Sequence, residues 1–142
     1  MPTIEDAIRL ALDKHHGQVD KGGAPYIMHP LRVMSYMETE TEQIVAVLHD
    51  VVEDSDVTLD DLRHMGFSEE IVAAVDHLSR RGDETYDEFI QRIKPHPLAV
   101  RVKLGDLRDN MDIRRAGALD EKALERFQRY RKAWFELTRN RD

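Results

Sequence analysis

The sequence predicts an all-α fold, and three features of the chain support this prediction. Apolar residues recur at helical spacing, as in the stripe formed by Ile4, Ala7, Ile8, Ala11 and Leu12. Capping residues precede such stripes at several places along the chain. No stretch shows the sustained two-residue alternation that is typical of a half-buried strand. We therefore expect a bundle of about seven to nine helices.

The periodicity predicts three helices in the first part of the chain. The first runs from about Thr3 to His16, and residues 17–29 form a loop that contains two consecutive glycines. Pro30 is expected at the first position of the second helix, where its missing N–H costs nothing. The third helix is predicted from about Glu42 to Glu53 and is apolar on nearly every face, which indicates a place in the core.

Capping residues mark the helices of the second part of the chain. Thr58 and Ser68 are predicted N-caps of two successive helices, and Thr85 begins a capping box. Pro97 is expected to open a long helix, and Asp120 is expected to open the last one. No strand or repeat interrupts this series.

Length, charge and composition limit the classes of function. We expect the 142 residues to form a single domain that spans residues 1–142. The formal net charge of −7 argues against nucleic acid or an anionic membrane as the main partner. The sequence contains no cysteine, so any metal ion must be bound by His, Asp or Glu. No window is apolar enough to span a membrane and the N-terminus does not resemble a signal peptide, so we expect a cytoplasmic protein. The sequence does not define the oligomeric state.

The segment Leu48-His49-Asp50-Val51-Val52-Glu53-Asp54 places a histidine and three carboxylates in an otherwise apolar helix. Burial of ionised carboxylates costs roughly several kcal/mol each unless an opposite charge compensates for it. A divalent metal ion would compensate, and the pair His49-Asp50 offers it an imidazole and a carboxylate. On a continuous helix, Glu53 and Asp54 lie four residues after His49 and Asp50, so all four side chains would share one face.

Two further segments carry residues of the same chemical type. His29 directly precedes Pro30, which is expected to hold the backbone of His29 extended and to project its ring at a helix start. On the long helix, Lys103, Asp106 and Asn110 follow each other at spacings that place them on one face. That face combines a cation, a carboxylate and an amide.

These residues resemble a known pattern. Taken in order, His29, the adjacent pair His49-Asp50, and Asp106 match the H…HD…D pattern of the HD superfamily of metal-dependent phosphohydrolases. The local sequences of residues 23–31, 48–54 and 102–106 look like the (p)ppGpp hydrolase domain of RelA/SpoT proteins and its small stand-alone versions of the metazoan SpoT-homologue type. The resemblance covers nearly the whole chain, and it implies an HD-domain helical bundle.

The resemblance also implies an activity and a site. It implies an enzyme that hydrolyses the 3′-pyrophosphate of ppGpp with one divalent ion, most often Mn²⁺, with Zn²⁺, Fe²⁺, Co²⁺, Ni²⁺ and Mg²⁺ as alternatives. The implied metal ligands are His29, His49, Asp50 and Asp106. The implied catalytic residues are Glu53 and Asp54. The substrate contacts that we expect are Lys21, Lys103 and Asn110.

The chain departs from the family pattern at two places. The loop arginine that packs on guanine in the family corresponds to Asp20, although Lys21 is kept. After the last metal aspartate the family has Arg-Leu-His-Asn or Lys-Leu-Tyr-Asn, whereas this chain has Leu107-Arg108-Asp109-Asn110, which keeps the asparagine but neither the basic residue nor the aromatic. Two alternatives therefore stay open: a phosphohydrolase for another phosphorylated nucleotide or NADPH, and a non-catalytic nucleotide-binding regulatory module.

Some residues have a second interpretation. Glu53 is either a proton-transfer residue or a partner that orients His49, and Asp54 is either catalytic or part of the helix end. Tyr26 is interpreted as a packing residue of the loop, and no role is assigned to His15. The basic side chains of the last helix are interpreted as a solvated face; they are Arg126, Arg129, Arg131 and Lys132.

Overall fold

The computed structural model describes residues 1–139 as nine α-helices and one short 3₁₀-helix. The α-helices are α1 (Ile4–His15), α2 (Met28–Ser35), α3 (Glu40–Leu48), α4 (Val51–Asp54), α5 (Leu59–His64), α6 (Glu69–Leu78), α7 (Tyr86–Ile93), α8 (Pro97–Asn110) and α9 (Glu121–Thr138). The 3₁₀-helix, η1, spans Ile113–Arg115. Residues 1–139 contain no strand, and the all-α prediction is confirmed. The single domain stays a prediction, and residues 140–142 lie outside the part of the chain that the structure describes.

Short polar side chains begin most of these helices, as the sequence predicted. The hydroxyl of Thr85 accepts from the backbone N–H of Glu88, whose carboxylate accepts from the N–H of Thr85 in return. The predicted N-caps Thr58, Ser68 and Asp120 are present, and Pro97 is the first residue of α8. These contacts satisfy N–H groups that have no partner within the helix.

The second helix begins two residues earlier than predicted. Helix α2 starts at Met28, so Pro30 is its third residue and His29 lies in its first turn. The predictions that Pro30 opens the helix and that His29 is extended were therefore wrong. The N–H groups of a first turn have no acceptor inside the helix, so a proline is tolerated throughout that turn.

The third predicted helix is divided in two. Helix α3 ends at Leu48, His49 and Asp50 form a turn, and α4 follows. The ring Nδ1 of His49 lies 2.5 Å from the carbonyl oxygen of Ala46, a local bond that competes with the helical hydrogen-bond pattern. The prediction of one continuous helix was wrong, and with it the premise from which a shared face for His49, Asp50, Glu53 and Asp54 was inferred.

The core surrounds α3, which packs against α1, α2, α6 and α8. Residues 44–48 of α3 are all buried. Gly105 lets α8 approach α2 closely, because a Cβ at this position would lie 2.9 Å from the Met37 side chain and 3.2 Å from that of Val33. This close approach brings the residue after Gly105, Asp106, beside the first turn of α2. Among residues 1–139 no helix combines the length and the apolar character that a membrane span requires.

Candidate metal centre and active site

Four side chains from three parts of the fold meet at one point. They are His29 of α2, His49 and Asp50 of the turn after α3, and Asp106 of α8, and we call them the metal-ligand cluster. One potential ligand atom from each lies within 4.8 Å of all the others. The Nε2 atoms of His29 and His49 lie 2.8 and 3.2 Å from Asp106 Oδ1. Asp50 Oδ2 lies 3.0 Å from His49 Nε2.

Three of the four cluster residues are buried. His29 and His49 are each 2% exposed, and Asp106 is 5% exposed. Burial alone would raise the pKa of Asp106, but the ammonium of Lys103 and the two imidazoles outweigh it and hold this pKa well below its usual range. Burial alone would lower the pKa of His49. The carboxylates of Asp50 and Asp106 together outweigh this effect and raise the pKa well above its usual value.

The donor set of the metal-ligand cluster fits a divalent cation. Two imidazole nitrogens and two carboxylate oxygens converge, and this mixture suits Mn²⁺, Fe²⁺, Co²⁺ and Zn²⁺. A divalent ion bound there would also offset the negative charge of the two carboxylates. The chain thus has a site that can hold a divalent metal, while the role of each residue as a ligand stays a prediction.

Lys103 and Asn110 flank Asp106 on α8, in agreement with their predicted shared face. The Lys103 ammonium lies 2.8 Å from Asp106 Oδ2 and 5.1 Å from the centre of the Phe89 ring. Asn110 Nδ2 donates to Asp106 Oδ1 over 3.2 Å. Lys21, the third predicted substrate contact, does not line the cavity that holds His49, Asp50 and Asp106 but lines a second cavity.

The two predicted catalytic carboxylates lie beside the metal-ligand cluster and not within it. Glu53 accepts from the backbone N–H of Arg80 over 2.6 Å and lines the cavity above the cluster. Partial desolvation raises the pKa of Glu53, the Arg80 N–H opposes this change, and the charge of Asp50 adds to it. Partial desolvation, followed by the charges of Asp50 and Glu53, raises the pKa of Asp54 to about 6.

A cavity of about 210 Å³ opens above the metal-ligand cluster. We call it the metal compartment. Its cations are Lys103, Arg80 and Arg129. Arg129 belongs to α9, so the interpretation of all basic residues on this helix as a plain solvated face was incomplete. Positive charge around a buried metal site is suited to a substrate that carries phosphate groups.

A second cavity, of about 340 Å³, adjoins the metal compartment. We call it the side compartment. Both compartments are lined in part by Tyr26, Asn110 and Tyr130, so these residues stand at the boundary. The side compartment also contains Lys21, Asp20, Arg115, Arg126 and Phe127. Cations and aromatic rings together are the groups that bind a nucleotide's phosphates and base.

Asp20, which stands where the family has an arginine, has a structural role in the loop. Its Oδ1 accepts from the backbone N–H groups of Gly22 and Ala24 over 3.0 and 2.9 Å. Its Oδ2 lies 3.4 Å from Nη2 of Arg115, a residue of η1 that lines the side compartment. The guanidinium of Arg115 therefore lies near the loop position at which the family has an arginine, although Arg115 is 95 residues further along the chain.

Sequence reasoning missed several residues of the site. The hydroxyl of Tyr26 donates to Asp50 Oδ2, so this residue does more than shape the loop. His15 is buried, contacts Gln18 Oε1 through Nδ1 over 2.8 Å, and has its ring centre 5.0 Å from that of Tyr26. Asp109 is buried beside His29. For Asp109, the sequence offered one indication, which is that it replaces the aromatic residue of the family pattern. For Tyr26 and His15, nothing in the sequence distinguished them from packing residues.

The all-α fold and the converging pair of histidines and pair of aspartates define a domain of the HD type. No protein-family model matches the chain. A solved structure described as a metazoan ortholog of SpoT that hydrolyses ppGpp and plays a role in starvation responses superposes with a TM-score of 0.80, covering 99% of this chain and 97% of that one. The two are 22% identical, so this likeness concerns the fold.

The curated relatives are long proteins. A guanosine-3′,5′-bis(diphosphate) 3′-pyrophosphohydrolase of Vibrio cholerae is 38% identical over 136 residues, which cover 83% of this chain and 19% of that protein. The protein of the same name from Aquifex aeolicus is 32% identical over 120 residues, which cover 76% of this chain and 17% of that protein. This chain thus spans about a fifth of the length of these relatives. The chain belongs to the RelA/SpoT-related branch of the HD superfamily.

Proposed function

We propose that this chain is a metal-dependent phosphohydrolase that removes the 3′-pyrophosphate of ppGpp. The observation that carries the proposal is the metal-ligand cluster at the floor of a cavity whose rim holds three cations and the carboxylate of Glu53. The names of the relatives from Vibrio cholerae and Aquifex aeolicus support ppGpp as the first substrate to test.

The metal would be held by His29, His49, Asp50 and Asp106. A divalent ion bound there would supply a water of lowered pKa and would neutralise charge on phosphate oxygens. We propose Mn²⁺ as the working ion. The ion found after purification can differ from it, because Zn²⁺ and Cu²⁺ bind more tightly to most sites of this type.

We propose that Glu53 transfers a proton. The Arg80 N–H fixes one of its oxygens, so the carboxylate is held at the rim of the metal compartment. A carboxyl group with a raised pKa is a better general base or acid near neutral pH than an ordinary one. Asp54 has the same property but contacts the loop through its backbone, whose carbonyl accepts from Gln18 over 3.1 Å. We assign the proton transfer to Glu53 and a supporting electrostatic role to Asp54.

The cations would bind the phosphate groups. Lys103 is held in place by Asp106 and by the Phe89 ring, so little conformational entropy is lost when it contacts a phosphate. Asn110 lines both compartments and would contact the sugar, and Lys21 lines the side compartment and would contact the part of the nucleotide there.

A second candidate is a phosphohydrolase for another phosphorylated nucleotide, and Asp20 is the observation that favours it. Its carboxylate is engaged by the loop and by Arg115, so it does not replace the stacking surface of an arginine. Recognition of the nucleotide base would then depend on Arg115 and on the aromatic rings of the side compartment. The predicted absence of nucleic-acid partners and the predicted cytoplasmic location stay predictions.

The test is release of pyrophosphate from ppGpp with added Mn²⁺. The native chain should release it, and Asp106→Asn should reduce the rate by at least about a thousandfold, which corresponds to about 4 kcal/mol of transition-state stabilisation. Asp13→Asn is the matched control, because Asp13 lies exposed on α1 with Lys14 Nζ at 4.0 Å. A native chain that binds metal but releases pyrophosphate from ppGpp no faster than the Asp106 variant would contradict ppGpp as the substrate, and other phosphorylated nucleotides, including NADPH, would be tested next.

A further inference from the structure

The carboxylate of Asp109 is buried beside the metal-ligand cluster but does not belong to it. Asp109 is 1% exposed and follows Asp106 by one turn of α8. Its Oδ2 lies 2.6 Å from Nδ1 of His29, while Asp106 Oδ1 lies 2.8 Å from Nε2 of the same ring. The His29 imidazole is therefore held between two carboxylates of one helix.

The Asp109 carboxylate also accepts from Arg32, forms an ion pair with Arg115 and lies near the hydroxyl of Tyr36. Arg32 reaches both oxygens, with Nε 2.7 Å from Oδ1 and Nη2 3.1 Å from Oδ2. Arg115 Nη1 lies 3.0 Å from Oδ2, and the Tyr36 hydroxyl lies 3.4 Å from Oδ1. All of these groups are donors, and the two guanidinium groups offset the charge of the buried carboxylate. The bidentate contact with Arg32 also fixes the orientation of the carboxylate plane.

This arrangement determines which nitrogen of His29 is available to a metal. A carboxylate whose other contacts are donors accepts from Nδ1, so Nδ1 keeps its proton, and Nε2 is the nitrogen that would give its lone pair to a metal ion when one is bound. Nε2 is the atom that points to the other cluster residues. We infer that Asp109 is a positioning residue that holds the His29 ring with Nε2 directed at the metal site.

Asp109 is one of the positions at which this chain departs from the family pattern. The resembling family has a histidine or a tyrosine at this position, and neither offers a carboxylate to Nδ1. In this chain Asp109 also links the ligand His29 to Arg115, which lines the side compartment and contacts Asn110 Oδ1 over 3.1 Å. The inference rests on the metal centre of the proposed function.

Binding of Mn²⁺ to metal-free protein tests the inference without any enzymatic assay. Asp109→Leu removes the acceptor and should weaken Mn²⁺ binding by about 10- to 100-fold, the range typical of partners that orient a ligating histidine. Asp109→Asn keeps one carbonyl acceptor and should lose less. The absorption spectrum of Co²⁺-loaded protein should change in the leucine variant, since the ring is free to turn and the ligand geometry alters.

Two comparisons separate positioning from a merely structural role. Glu42→Gln is the matched control, because Glu42 is a buried carboxylate outside the cluster, and its Oε2 lies 2.8 Å from Nη1 of Arg101. This variant should keep the Mn²⁺ affinity of the native chain. In a His29→Ala background, Asp109→Asn should have no further effect on Mn²⁺ affinity, because its effect passes through the His29 ring. This cycle does not require the leucine variant to fold.

The outcomes distinguish this inference from the proposed function. Native Mn²⁺ affinity in Asp109→Asn and in any folded Asp109→Leu protein would overturn the inference alone and leave Asp109 a structural residue. An equal loss of affinity from Asp109→Asn with and without His29 would overturn it as well. A native chain that binds no divalent ion would overturn the metal centre and the inference together.

Discussion

The two compartments that meet at Tyr26, Asn110 and Tyr130 are built in different ways. The floor of the metal compartment consists of buried side chains that contact each other directly, and each charge there has an opposite charge within about 3 Å. The side compartment is larger, about 340 Å³ against about 210 Å³, and its lining includes the exposed side chain of Lys21. Under the proposed function, the first compartment would hold the reacting pyrophosphate group and the second would bind the rest of the nucleotide.

The means of assembly also differ. The side chains of the metal-ligand cluster contact each other through ion pairs. In contrast, the segments that line the side compartment are in close backbone contact. A Cβ on Gly22 would lie 2.7 Å from the carbonyl oxygen of Arg115, and one on Gly117 would lie 2.6 Å from that of Lys21. The two glycines thus lock the loop after α1 to the segment around η1. Changes in the two regions should therefore have different signatures.

The largest effect is expected from loss of a cluster residue. His49→Ala should lower the rate of pyrophosphate release by at least about a thousandfold, because it removes a proposed ligand and the imidazole that lies 3.0 Å from Asp50 Oδ2. Mn²⁺ at about 100 times its Kd should stabilise the native chain by about 2.7 kcal/mol and should give the variant much less. Thermal unfolding with and without Mn²⁺ measures this difference, and equal stabilisation of both proteins would contradict the assignment of His49.

A smaller effect is expected when the backbone packing of the side compartment is disturbed. Gly22→Ala should destabilise the chain by about 1–3 kcal/mol, because the added methyl group meets a backbone oxygen that cannot rotate away. The KM of the Gly22→Ala variant for ppGpp should rise, while its affinity for Mn²⁺ should equal that of the native chain. Gly82→Ala is the control, since a Cβ there meets open space. Urea unfolding and Mn²⁺ titration check both parts, and a fall in Mn²⁺ affinity in Gly22→Ala would show that the compartments are not independent.

Loss of a cation from the side compartment should act on substrate binding. Arg126→Ala should raise the KM for ppGpp about tenfold, or about 1.4 kcal/mol, with kcat nearly unchanged, because the residue lines the side compartment and not the cluster. Lys122→Ala, at an exposed position of the same helix, should have no effect. Steady-state kinetics on the two variants measures this effect. A fall in kcat with an unchanged KM would place Arg126 in the chemical step.

The smallest effect concerns the start of α8, at the opposite end of this helix from Asp106. The ring Nδ1 of His96 caps α8 by accepting from the Ala99 N–H over 3.2 Å. Partial burial, followed by the neighbouring ring of His77, lowers the pKa of His96 below its usual 6.5. The unfolded chain therefore binds this proton more readily, so the stabilisation is complete above about pH 6.5 and is lost as the pH falls through the lowered value.

The size of this pH effect should be below about 1 kcal/mol, the usual worth of one capping bond. Urea unfolding of the native chain and of His96→Asn between pH 5 and 7.5 measures it. The asparagine keeps a cap that does not titrate, so the native chain should lose more stability than the variant on acidification. Identical pH dependence in both proteins would exclude His96 as the source.

The sequence predicted the parts of the site that have strong local signals. His49 and Asp50 stood out because they interrupt an apolar run, and capping residues such as Thr85 marked helix starts correctly. The break between α3 and α4 was not predicted, because the bond from His49 to the Ala46 carbonyl has no signature in composition or periodicity. The same holds for the early start of α2, since a proline is compatible with any position of a first turn.

Contacts between distant residues could not be predicted from one sequence. Tyr26 and Asp50 are 24 positions apart, His29 and Asp109 are 80 apart, and Asp20 and Arg115 are 95 apart. Each pair forms because helices pack in a particular arrangement, which local patterns do not specify. The departure of Asp20 from the family pattern could be read from the sequence, but the guanidinium of Arg115 beside it could not.

The most direct test of the metal-ligand cluster is anomalous diffraction from crystals of the native chain grown with Mn²⁺. We expect one anomalous peak between α2, the turn after α3, and α8, with His29 Nε2, His49 Nε2 and oxygens of Asp50 and Asp106 at about 2.0–2.3 Å from it. A peak bound by other residues, or none at saturating Mn²⁺, would contradict the assignment of these four side chains as the metal centre.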